Sequence, residues 1–435
     1  MIQAVIMAGG KGTRLLSITE DKIPKPMTRV NGKPVLQWQI ECLRREGITE
    51  VLIVTGHLGD KITEFFGNGY RFGVSISYYH ESRPLGTAGA LGNLSEVLEE
   101  NFFLIFGDVI FDIDLSRMKA FHQKKASCAT LFVHPNNHPF DSDLVLINEH
   151  KQVTGILAKS TKRTDYYDNC VNAGFYILNK SVCTMVPKGK KADLEKDILL
   201  TLAVKEGNVF AYKSPEYIKD IGTPERINMA EAELNSGIVA SRNLNKLQKC
   251  VFLDRDGTLN KYCGLISKPE ELELENTAIE AVQKLNSSGW LVIVVTNQPV
   301  IARGMCSIKD LRYIHKKLQT LLGDKGAFLD DIVFCPHHPD KGYHEENPVY
   351  KISCHCRKPD TGMLEQCVEQ YNIDLSKSWI VGDTTIDIQT GINAGTHTAL
   401  VLTGLKGMDQ KYDVQPEYVG ENLLDIVDYI LKEDL

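Results

Sequence analysis

The chain has 435 residues, of which 43% are hydrophobic and 24% are charged, and its net charge is −7. This length predicts two globular domains of roughly 200 residues each, and the acidic balance argues against nucleic acid as the main partner. The longest apolar runs, such as Trp290–Val295, are too short to span a bilayer, and the N-terminus lacks the basic start and cleavage site of a signal peptide. We therefore expect a cytoplasmic protein that binds neither nucleic acid nor a membrane.

Strand-like and helix-like segments alternate along the chain, which predicts an α/β fold with largely parallel sheets. The first half runs from the strand "QAVIMA" through the helix "PVLQWQIECLRREG" to the helix "PERINMAEAEL". A second series starts at "KCVFLDRDGT" and ends with the strand "TALVLTG". The segment between the two series has no sustained apolar period. We therefore predict domains at residues 1–236 and 248–435, joined by a linker at 237–247.

A glycine-rich loop, "GGKGTRL", follows the first strand. Gly9, Gly10 and Gly12 remove side chains where the backbone must approach a ligand, and successive N–H groups there can hold phosphate oxygens. Arg14 adds a bidentate donor for phosphate. The loop is neither a P-loop nor a dinucleotide fingerprint, so a simple tight connection is the alternative.

Three later features favour a nucleotide site over a simple turn. Lys25 stands between two prolines in "KIPKPM", which fixes the direction of its ammonium group. The small-residue loop "LGTAGAL" offers a flat surface for a base. Asp108 ends an apolar strand and Asp220 stands in "KDIGTPE", so that two carboxylates can hold Mg²⁺ between them.

The ordered motifs "MAGGKGTRL", "PKPM", "GTAGAL", "FGD", "VNAGFYIL", "LEKDIL" and "DIGTPE" resemble the sugar-1-phosphate nucleotidyltransferases. Mannose-1-phosphate and heptose-1-phosphate guanylyltransferases are the members with the greatest resemblance, which covers residues 1–236. It implies a Rossmann-like, GT-A-like domain in which a sugar phosphate displaces pyrophosphate from a nucleoside triphosphate. The residues that the resemblance assigns are Gly9, Gly10, Gly12, Thr13, Arg14 and Lys25 for the triphosphate, Gly86, Thr87 and Gly89 for the base, Asn172, Gly174, Glu195 and Lys196 for the sugar phosphate, and Asp108 and Asp220 for Mg²⁺.

The second half opens with paired carboxylates directly after a strand, in "VFLDRDGTLN". Asp254 can attack phosphorus as a nucleophile, while Asp256 protonates the leaving group and then deprotonates water. A D-x-D pair near a turn is also common as a solvated or capping pair. Thr296 and Asp383 end two later strands, and the ends of parallel strands converge on one crevice, which favours the catalytic interpretation.

The segment Phe334–Asp360 concentrates three cysteines and four histidines, whereas the chain's other cysteines sit mostly alone in apolar runs, as reduced thiols do. Cys335-x-His337 and Cys354-x-Cys356 form two pairs suited to a closed tetrahedral Zn²⁺ site. A coincidence of core thiols and surface histidines is the alternative, and His338 is the first substitute ligand. A structural zinc ion would fix the loop that presents Arg357 and Lys358.

These motifs resemble the haloacid dehalogenase-like phosphatases over residues 249–435. The zinc pattern with "DRDGTLN", "NQPVIARG" and "CRKP" narrows the resemblance to heptose-1,7-bisphosphate 7-phosphatases, with histidinol-phosphate phosphatases as near relatives. Pro299-Val300 stands where the family commonly has Ser-Gly, and Thr384 stands where a lysine is common. The assignments that the resemblance implies are Asp254 as nucleophile, Asp256 as acid/base, Mg²⁺ at Asp254, the backbone of Asp256 and Asp383, and substrate contacts from Thr296, Asn297, Gln298, Arg303, Arg357 and Lys358.

Together the two resemblances imply a bifunctional enzyme of nucleotide-activated heptose synthesis that uses GTP, heptose phosphates, Mg²⁺ in both domains and structural zinc. The first alternative is a hexose-1-phosphate nucleotidyltransferase, for mannose or glucose, fused to a phosphatase of another substrate such as histidinol phosphate. A binding protein with one dead domain and a pure scaffold are further alternatives, although all the predicted catalytic residues are present. The sequence leaves open whether the chain forms a homo-oligomer.

Overall fold

The computed structural model describes residues 2–10, 15, 19–342 and 344–434. The chain forms two compact units. Unit 1 comprises residues 1–134, 143–158 and 170–243, and unit 2 comprises residues 135–142, 159–169 and 244–435. Each unit is built around its own sheet. In the part of the chain that the structure describes, no helix is both long and apolar enough to cross a membrane.

Unit 1 contains a nine-stranded mixed sheet in its described part, with the order β10-β9-β11-β6-β1-β4-β5 and with β8 joining β11 to β12. Strands β6, β1, β4 and β5 run parallel, whereas β11 is antiparallel to both β6 and β8. A two-stranded ribbon pairs β7 with β13, and a second ribbon pairs β2 with β3. The strands are β1 Gln3–Met7, β2 Arg29–Val30, β3 Lys33–Pro34, β4 Glu50–Thr55, β5 Ser75–His80, β6 Asn101–Phe106, β7 Val109–Asp112, β8 Ala129–His134, β9 Leu144–Ile147, β10 Val153–Leu157, β11 Val171–Asn179, β12 Val209–Lys213 and β13 Tyr217–Asp220.

The helices of unit 1 cover both faces of this sheet and bury an apolar core on each side. Val35–Arg45 shows why they form: its apolar side chains recur at helical spacing, and one face, which includes Val35, Leu36, Ile40 and Leu43, is buried. The α-helices are Val35–Arg45, Gly59–Phe66, Leu91–Leu94, Leu115–Lys125, Leu200–Glu206, Pro224–Asn235 and Ile238–Ser241, and a π-helix spans Leu194–Leu199.

Unit 2 contains a six-stranded parallel sheet with the order β16-β15-β14-β17-β18-β19. Its strands are β14 Cys250–Leu253, β15 Leu291–Asn297, β16 Asp331–Cys335, β17 Trp379–Gly382, β18 His397–Val401 and β19 Tyr418–Gly420. The strand order reverses between β14 and β17, and this reversal opens a crevice at the carboxyl ends of the two strands. The helices are Ala278–Ser288, Ile308–Gly323, Gly362–Tyr371, Thr385–Ala394 and Leu423–Glu433.

The predicted α/β architecture is confirmed, including the strands and helices from which the two halves were inferred. One detail differs from the expectation of largely parallel sheets. From β8 to β11 the chain forms successive strands with antiparallel pairings, with no long helix between them. Short connections between these strands allow antiparallel pairing, whereas a parallel pair needs a long crossover.

Candidate active sites

The crevice of unit 2 brings together two acidic strand ends and a buried lysine. Asp254 follows β14, Asp383 follows β17, and both are buried. The Lys358 Nζ donates to Asp254 Oδ1 at 2.7 Å, to Asp387 Oδ1 at 2.5 Å and to the Val295 carbonyl at 2.8 Å. Three acceptors use all three ammonium hydrogens, so the lysine is held in one position.

Asp254, Asp383 and Asp387 each offer a carboxylate oxygen within 4.8 Å of the others. Burial raises the pKa of Asp254 to about 6 in spite of Lys358, and burial with the neighbouring carboxylates raises the pKa of Asp383 to about 8. Three hard oxygen donors that repel one another fit a divalent cation such as Mg²⁺, because its charge would relieve the repulsion. Asp387 was absent from the predicted ligand set.

Glycines fit closely around this carboxylate cluster. Gly257, at φ +83°, would place a Cβ 2.3 Å from Asp383 Oδ2, and Gly404, at φ +56°, would place one 2.2 Å from the same atom. The backbone N–H of Leu405 donates to that oxygen at 2.7 Å. The carboxylate of Asp383 is therefore fixed on the side facing the two glycines.

The Asp256 carboxylate is held by four hydrogen bonds from other side chains. Oδ1 accepts from Arg255 Nε and from Asn260 Nδ2, each at 3.0 Å. Oδ2 accepts from Arg255 Nη2 at 2.8 Å and from Gln298 Nε2 at 3.0 Å. Burial alone would raise the pKa of Asp256, but these donors, with Arg255 foremost, lower it. Its side chain is thus bound within unit 2 and is not one of the three clustered carboxylates.

The remaining strand-end residues line the same crevice. Gln298 Nε2 also donates to Thr296 Oγ1 at 3.0 Å, which ties the end of β15 to Asp256. Asn297 exchanges two hydrogen bonds of 3.0 Å with the backbone of Lys358. Thr384, which replaces the expected lysine, donates from Oγ1 to Asp387 and caps the helix Thr385–Ala394. Lys358 supplies a buried ammonium group beside Asp254 and Asp387.

The four predicted zinc ligands converge at one point. The sulfur atoms of Cys335, Cys354 and Cys356 lie 3.3–3.5 Å apart, and His337 Nδ1 lies 3.3 Å from the Cys356 sulfur. A zinc tetrahedron with bonds of about 2.3 Å has sulfur–sulfur edges of about 3.8 Å, close to these values. Burial raises the pKa of the Cys335 and Cys356 thiols, so a cation is needed to hold them as thiolates at neutral pH.

Basic side chains lie beside this cysteine–histidine cluster. Arg357 Nη1 donates to the His337 carbonyl at 3.1 Å, which fixes the guanidinium against the cluster loop. Burial lowers the pKa of Arg357, and nearby Arg303 adds to the lowering. His338 lies outside the cluster, where its Nδ1 accepts from the Asp340 N–H. Burial lowers its pKa, and the positive charges of Arg357 and Arg303 contribute.

In unit 1, Asp108 and Asp220 meet through the β7–β13 ribbon. Asp220 pairs with Val109, the residue after Asp108, and the Ile221 N–H donates to the Asp108 carbonyl at 2.9 Å. Lys25 forms an ion pair with Asp108. Arg226, which the sequence interpretation missed, pairs with Asp220 and lowers its pKa against the effect of burial. Two carboxylates and two cations at one point fit a site for Mg²⁺ and phosphates.

The two predicted nucleotide loops lie on either side of a buried glutamate. A Cβ on Gly9 would lie 2.9 Å from Glu81 Oε2, and the Leu85 N–H bonds to the same carboxylate. Gly86, at φ +82°, would place a Cβ 2.4 Å from the Ala192 carbonyl, so only glycine fits there. The Oε1 atom of Glu81 is buried without a hydrogen-bond partner. Burial raises the pKa of Glu81. The sequence interpretation missed this residue as well.

The predicted sugar contacts lie on β11 and on the π-helix. Asn172 Nδ2 donates to Tyr176 Oη at 2.9 Å and to Glu195 Oε1 at 3.3 Å, while Asn172 Oδ1 is buried without a partner. Gly174 has φ +70°, and a Cβ there would lie 2.8 Å from the Phe106 ring. Among the other predicted positions, Thr87 Oγ1 accepts from the Leu194 N–H at 2.7 Å, and a Cβ on Gly89 would lie 2.3 Å from the Leu85 carbonyl oxygen. Gly10 and Lys196 are exposed, and Gly12, Thr13 and Arg14 lie outside the described residues.

Unit 1 has the architecture of a nucleotidyltransferase, and unit 2 that of a haloacid dehalogenase-like phosphatase. The family model for nucleotidyl transferases matches residues 3–237, more than half of the chain, and a HAD-hydrolase-like model matches residues 355–426. The chain belongs to the nucleotidyl transferase family and carries a haloacid dehalogenase-like hydrolase region after it.

Three curated proteins illustrate the relationship. The chain is 38% identical to a D-glycero-beta-D-manno-heptose-1,7-bisphosphate 7-phosphatase of Pasteurella multocida, over 41% of this chain and 95% of that protein. It is 32% identical to a D-glycero-alpha-D-manno-heptose 1-phosphate guanylyltransferase of Aneurinibacillus thermoaerophilus, over 54% of this chain and 98% of that protein. It is 31% identical to a mannose-1-phosphate guanylyltransferase of Mycobacterium tuberculosis, over 55% of this chain and 66% of that protein.

Proposed function

We propose that this chain is a bifunctional cytoplasmic enzyme that makes a nucleotide-activated heptose. Residues 248–435 remove the 7-phosphate of D-glycero-D-manno-heptose 1,7-bisphosphate, and residues 1–236 transfer GMP from GTP to the resulting heptose 1-phosphate. The observation that carries this proposal is the presence in one chain of two sites whose relatives are named for these two activities. The product of one site is then the substrate of the other.

In the phosphatase, the Asp254 carboxylate attacks the phosphorus of the 7-phosphate, and the bond from phosphorus to the sugar oxygen breaks. Asp256 gives that oxygen its proton, and then takes a proton from the water that hydrolyses the phosphoaspartate. Mg²⁺, held by Asp254 and Asp383 with Asp387 nearby, would neutralise charge on the transferring phosphoryl group. Lys358 keeps Asp254 oriented and adds a positive charge at the phosphoryl group.

Preference for a bisphosphate is supported by the second cationic group in unit 2. Arg357 is fixed against the metal cluster loop, and Arg303 is close enough to lower its pKa. Guanidinium groups bind phosphate through paired hydrogen bonds, so these two side chains suit the 1-phosphate of the substrate. Arg357 directly precedes Lys358, and this adjacency supports a second phosphate site next to the crevice.

In the transferase, an oxygen of the sugar 1-phosphate attacks the α-phosphorus of GTP. The bond to the bridging oxygen breaks, and pyrophosphate leaves. Catalysis of this type depends on positioning and on cations rather than on proton transfer. Lys25, with Arg14 from the glycine loop, would hold the phosphates, while Asp108 and Asp220 would hold Mg²⁺. Asn172, Gly174, Glu195 and Lys196 would contact the sugar phosphate.

The choice of guanine is supported by Glu81. A buried carboxylate with a free oxygen can accept from two neighbouring N–H donors, as it would from the N1–H and the 2-amino group of guanine. Thymine and uracil present carbonyl oxygens on either side of their single N–H, and those oxygens would repel a carboxylate. Buried polar groups left without a partner are costly, so binding the wrong base would be penalised.

For Glu81→Gln we expect kcat/KM for GTP to fall by about 10- to 100-fold, because one of the two acceptor atoms is lost. The wild-type protein should likewise prefer GTP over ITP, which lacks the 2-amino group, and the substitution should remove most of that preference. The measurement is pyrophosphate release with each nucleotide. Glu96→Gln, at an exposed glutamate, is the matched control. An unchanged ratio of GTP to ITP turnover in Glu81→Gln would contradict the assignment.

We propose that the metal of the Cys335, His337, Cys354 and Cys356 cluster is structural zinc. For Cys356→Ala we expect metal analysis to show loss of about one zinc ion per chain and a large loss of phosphatase activity, since Arg357 follows directly. Transferase activity should persist, and Cys263→Ala, at an exposed cysteine outside the cluster, should change nothing. Retention of zinc in Cys356→Ala would contradict the ligand set.

The proposed function is tested by supplying heptose 1,7-bisphosphate, GTP and Mg²⁺ to the purified protein and measuring phosphate, pyrophosphate and nucleotide sugar. Both anomers are needed, because the phosphatase relative is named for the beta form and the guanylyltransferase relative for the alpha form. We expect phosphate first and GDP-heptose second. The match to a mannose-1-phosphate guanylyltransferase makes mannose 1-phosphate the second candidate for the transferase. If the transferase accepts mannose 1-phosphate but not heptose 1-phosphate, mannose 1-phosphate replaces heptose 1-phosphate as its proposed substrate.

A further inference from the structure

Arg255 is the largest fully buried side chain of the protein's described part, and it lies between the two proposed catalytic aspartates in sequence. Its guanidinium is completely shielded from solvent. Burying a charged group is strongly unfavourable unless paired groups compensate. A hydrophobic side chain would fill the same space without that cost, so the arginine requires an explanation.

One edge of the guanidinium forms a bidentate ion pair with the Asp256 carboxylate. Nε reaches Oδ1 at 3.0 Å and Nη2 reaches Oδ2 at 2.8 Å. This bidentate geometry fixes the plane of the carboxylate as well as its position. Gln298 supports this ion pair from the side, because its Oε1 accepts from Nη2 at 3.1 Å while its Nε2 donates to Asp256.

The other edge of the guanidinium is held from the helix Ile308–Gly323. Arg255 Nη1 lies 3.2 Å from His315 Nε2. Arginine can only donate, so Nε2 accepts and the ring carries its hydrogen on Nδ1. His315 is itself buried, with its ring packed edge-on against Phe334 at 5.5 Å between centroids. The histidine thus stops rotation of the guanidinium about its long stem.

We propose that Arg255 is a positioning residue that sets the orientation of the Asp256 carboxylate for both of its proton transfers, and that His315 fixes Arg255. The inference rests on the proposed phosphatase function, in which Asp256 first protonates the sugar oxygen and later deprotonates water. Each transfer requires a carboxylate oxygen aimed at a different donor or acceptor within hydrogen-bond reach. A carboxylate free to rotate would spend little time in either arrangement.

The test compares Arg255→Met, Arg255→Lys, His315→Leu and His315→Gln with the wild type in the full-length chain. For Arg255→Met we expect kcat with heptose bisphosphate to fall by about 10²-fold with KM within about 3-fold, because acid–base catalysis is lost and binding is kept. Arg255→Lys keeps the positive charge but cannot form the bidentate pair, so its kcat should be little higher than that of Arg255→Met. His315→Leu should lower kcat by about 10-fold, and His315→Gln, which can still accept from Nη1, should recover most of that loss.

Pre-steady-state kinetics with an excess of p-nitrophenyl phosphate separate positioning from a merely structural role. Nitrophenolate leaves without a proton, so Arg255→Met should release nearly one nitrophenolate per chain in a burst, followed by slow turnover while the phosphoaspartate waits for water. The proposal would be overturned if folded Arg255→Met showed both a smaller burst and a lower KM. Wild-type kcat in His315→Leu would also overturn it. If the wild type fails to hydrolyse heptose bisphosphate while Arg255→Met still shows the nitrophenolate burst and slow turnover, that result would support the positioning role and contradict heptose bisphosphate as the substrate.

Discussion

Replacing Asp254 with asparagine is expected to lower phosphate release by at least about 10³-fold, because the amide cannot attack phosphorus. Nucleotide transfer from a supplied heptose 1-phosphate should remain at the wild-type rate. The two activities are followed in parallel, by phosphate release and by pyrophosphate release. Asp413→Asn, at an exposed carboxylate, provides the matched control.

The same substitution should not destabilise the metal-free protein. The pKa of Asp254 is raised to about 6 in the folded state, above its ordinary value, mainly by burial. A carboxyl group with a raised folded pKa favours folding at low pH, and that contribution is lost as pH rises through 6. Asparagine does not ionise, so the variant does not lose this stability as the pH rises. Lys358 still donates to Asp387 and to the Val295 carbonyl. A Tm well below that of the wild type at pH 8, or retained phosphate release, would contradict the assignment.

Replacing Asp108 with asparagine is expected to lower GMP transfer by about 10²- to 10³-fold and to leave phosphate release unchanged. The substitution removes one of the two carboxylates proposed to hold Mg²⁺ and takes the charged partner from Lys25. Charge stabilisation at a transferring phosphoryl group is usually the largest catalytic effect, so the loss should appear mainly in kcat. Pyrophosphate release at saturating GTP and sugar phosphate measures it.

Asp112→Asn is the control for this second prediction, because Asp112 ends the strand that starts directly after Asp108 but pairs with Arg45. A higher Mg²⁺ concentration should partly restore Asp108→Asn if the lost carboxylate binds the metal. If Asp112→Asn and Asp108→Asn lose transfer equally, strand packing rather than metal binding explains the effect. If Asp108→Asn transfers GMP normally, the metal site has been misplaced.

The elements that carry the sites could be predicted from the sequence because their signals are local. The strand before Asp254 is a continuous apolar run, and a buried strand of a parallel sheet requires such a run. Cys335, His337, Cys354 and Cys356 have a spacing that is itself a coordination pattern. The convergence of strand ends in a doubly wound sheet then predicts that Asp254 and Asp383 lie at one crevice.

The residues that were missed act through contacts that no local pattern shows. Asp387 reads as an ordinary helix-capping position, yet its carboxylate meets Lys358 across the crevice. Glu81 has the sequence context of an ordinary polar residue after a strand, and only the folded structure shows that it is buried beside Gly9. Arg255 stands between the two aspartates proposed to be catalytic, and no sequence motif assigns it a role. Its role depends on His315, which lies sixty residues further along the chain.

The strand order of unit 2 also dictates when the phosphatase can be assembled during synthesis. Strand β14 carries the nucleophile, and it pairs on one side with β15 and on the other with β17, at Val251↔Trp379. The ribosome must therefore synthesise most of unit 2 before β14 can pair with both β15 and β17. Pairings between strands so distant in sequence form slowly. Until then the apolar edge of β14 is exposed to other nascent chains, so messages truncated before Trp379 should yield protein that aggregates and needs chaperones.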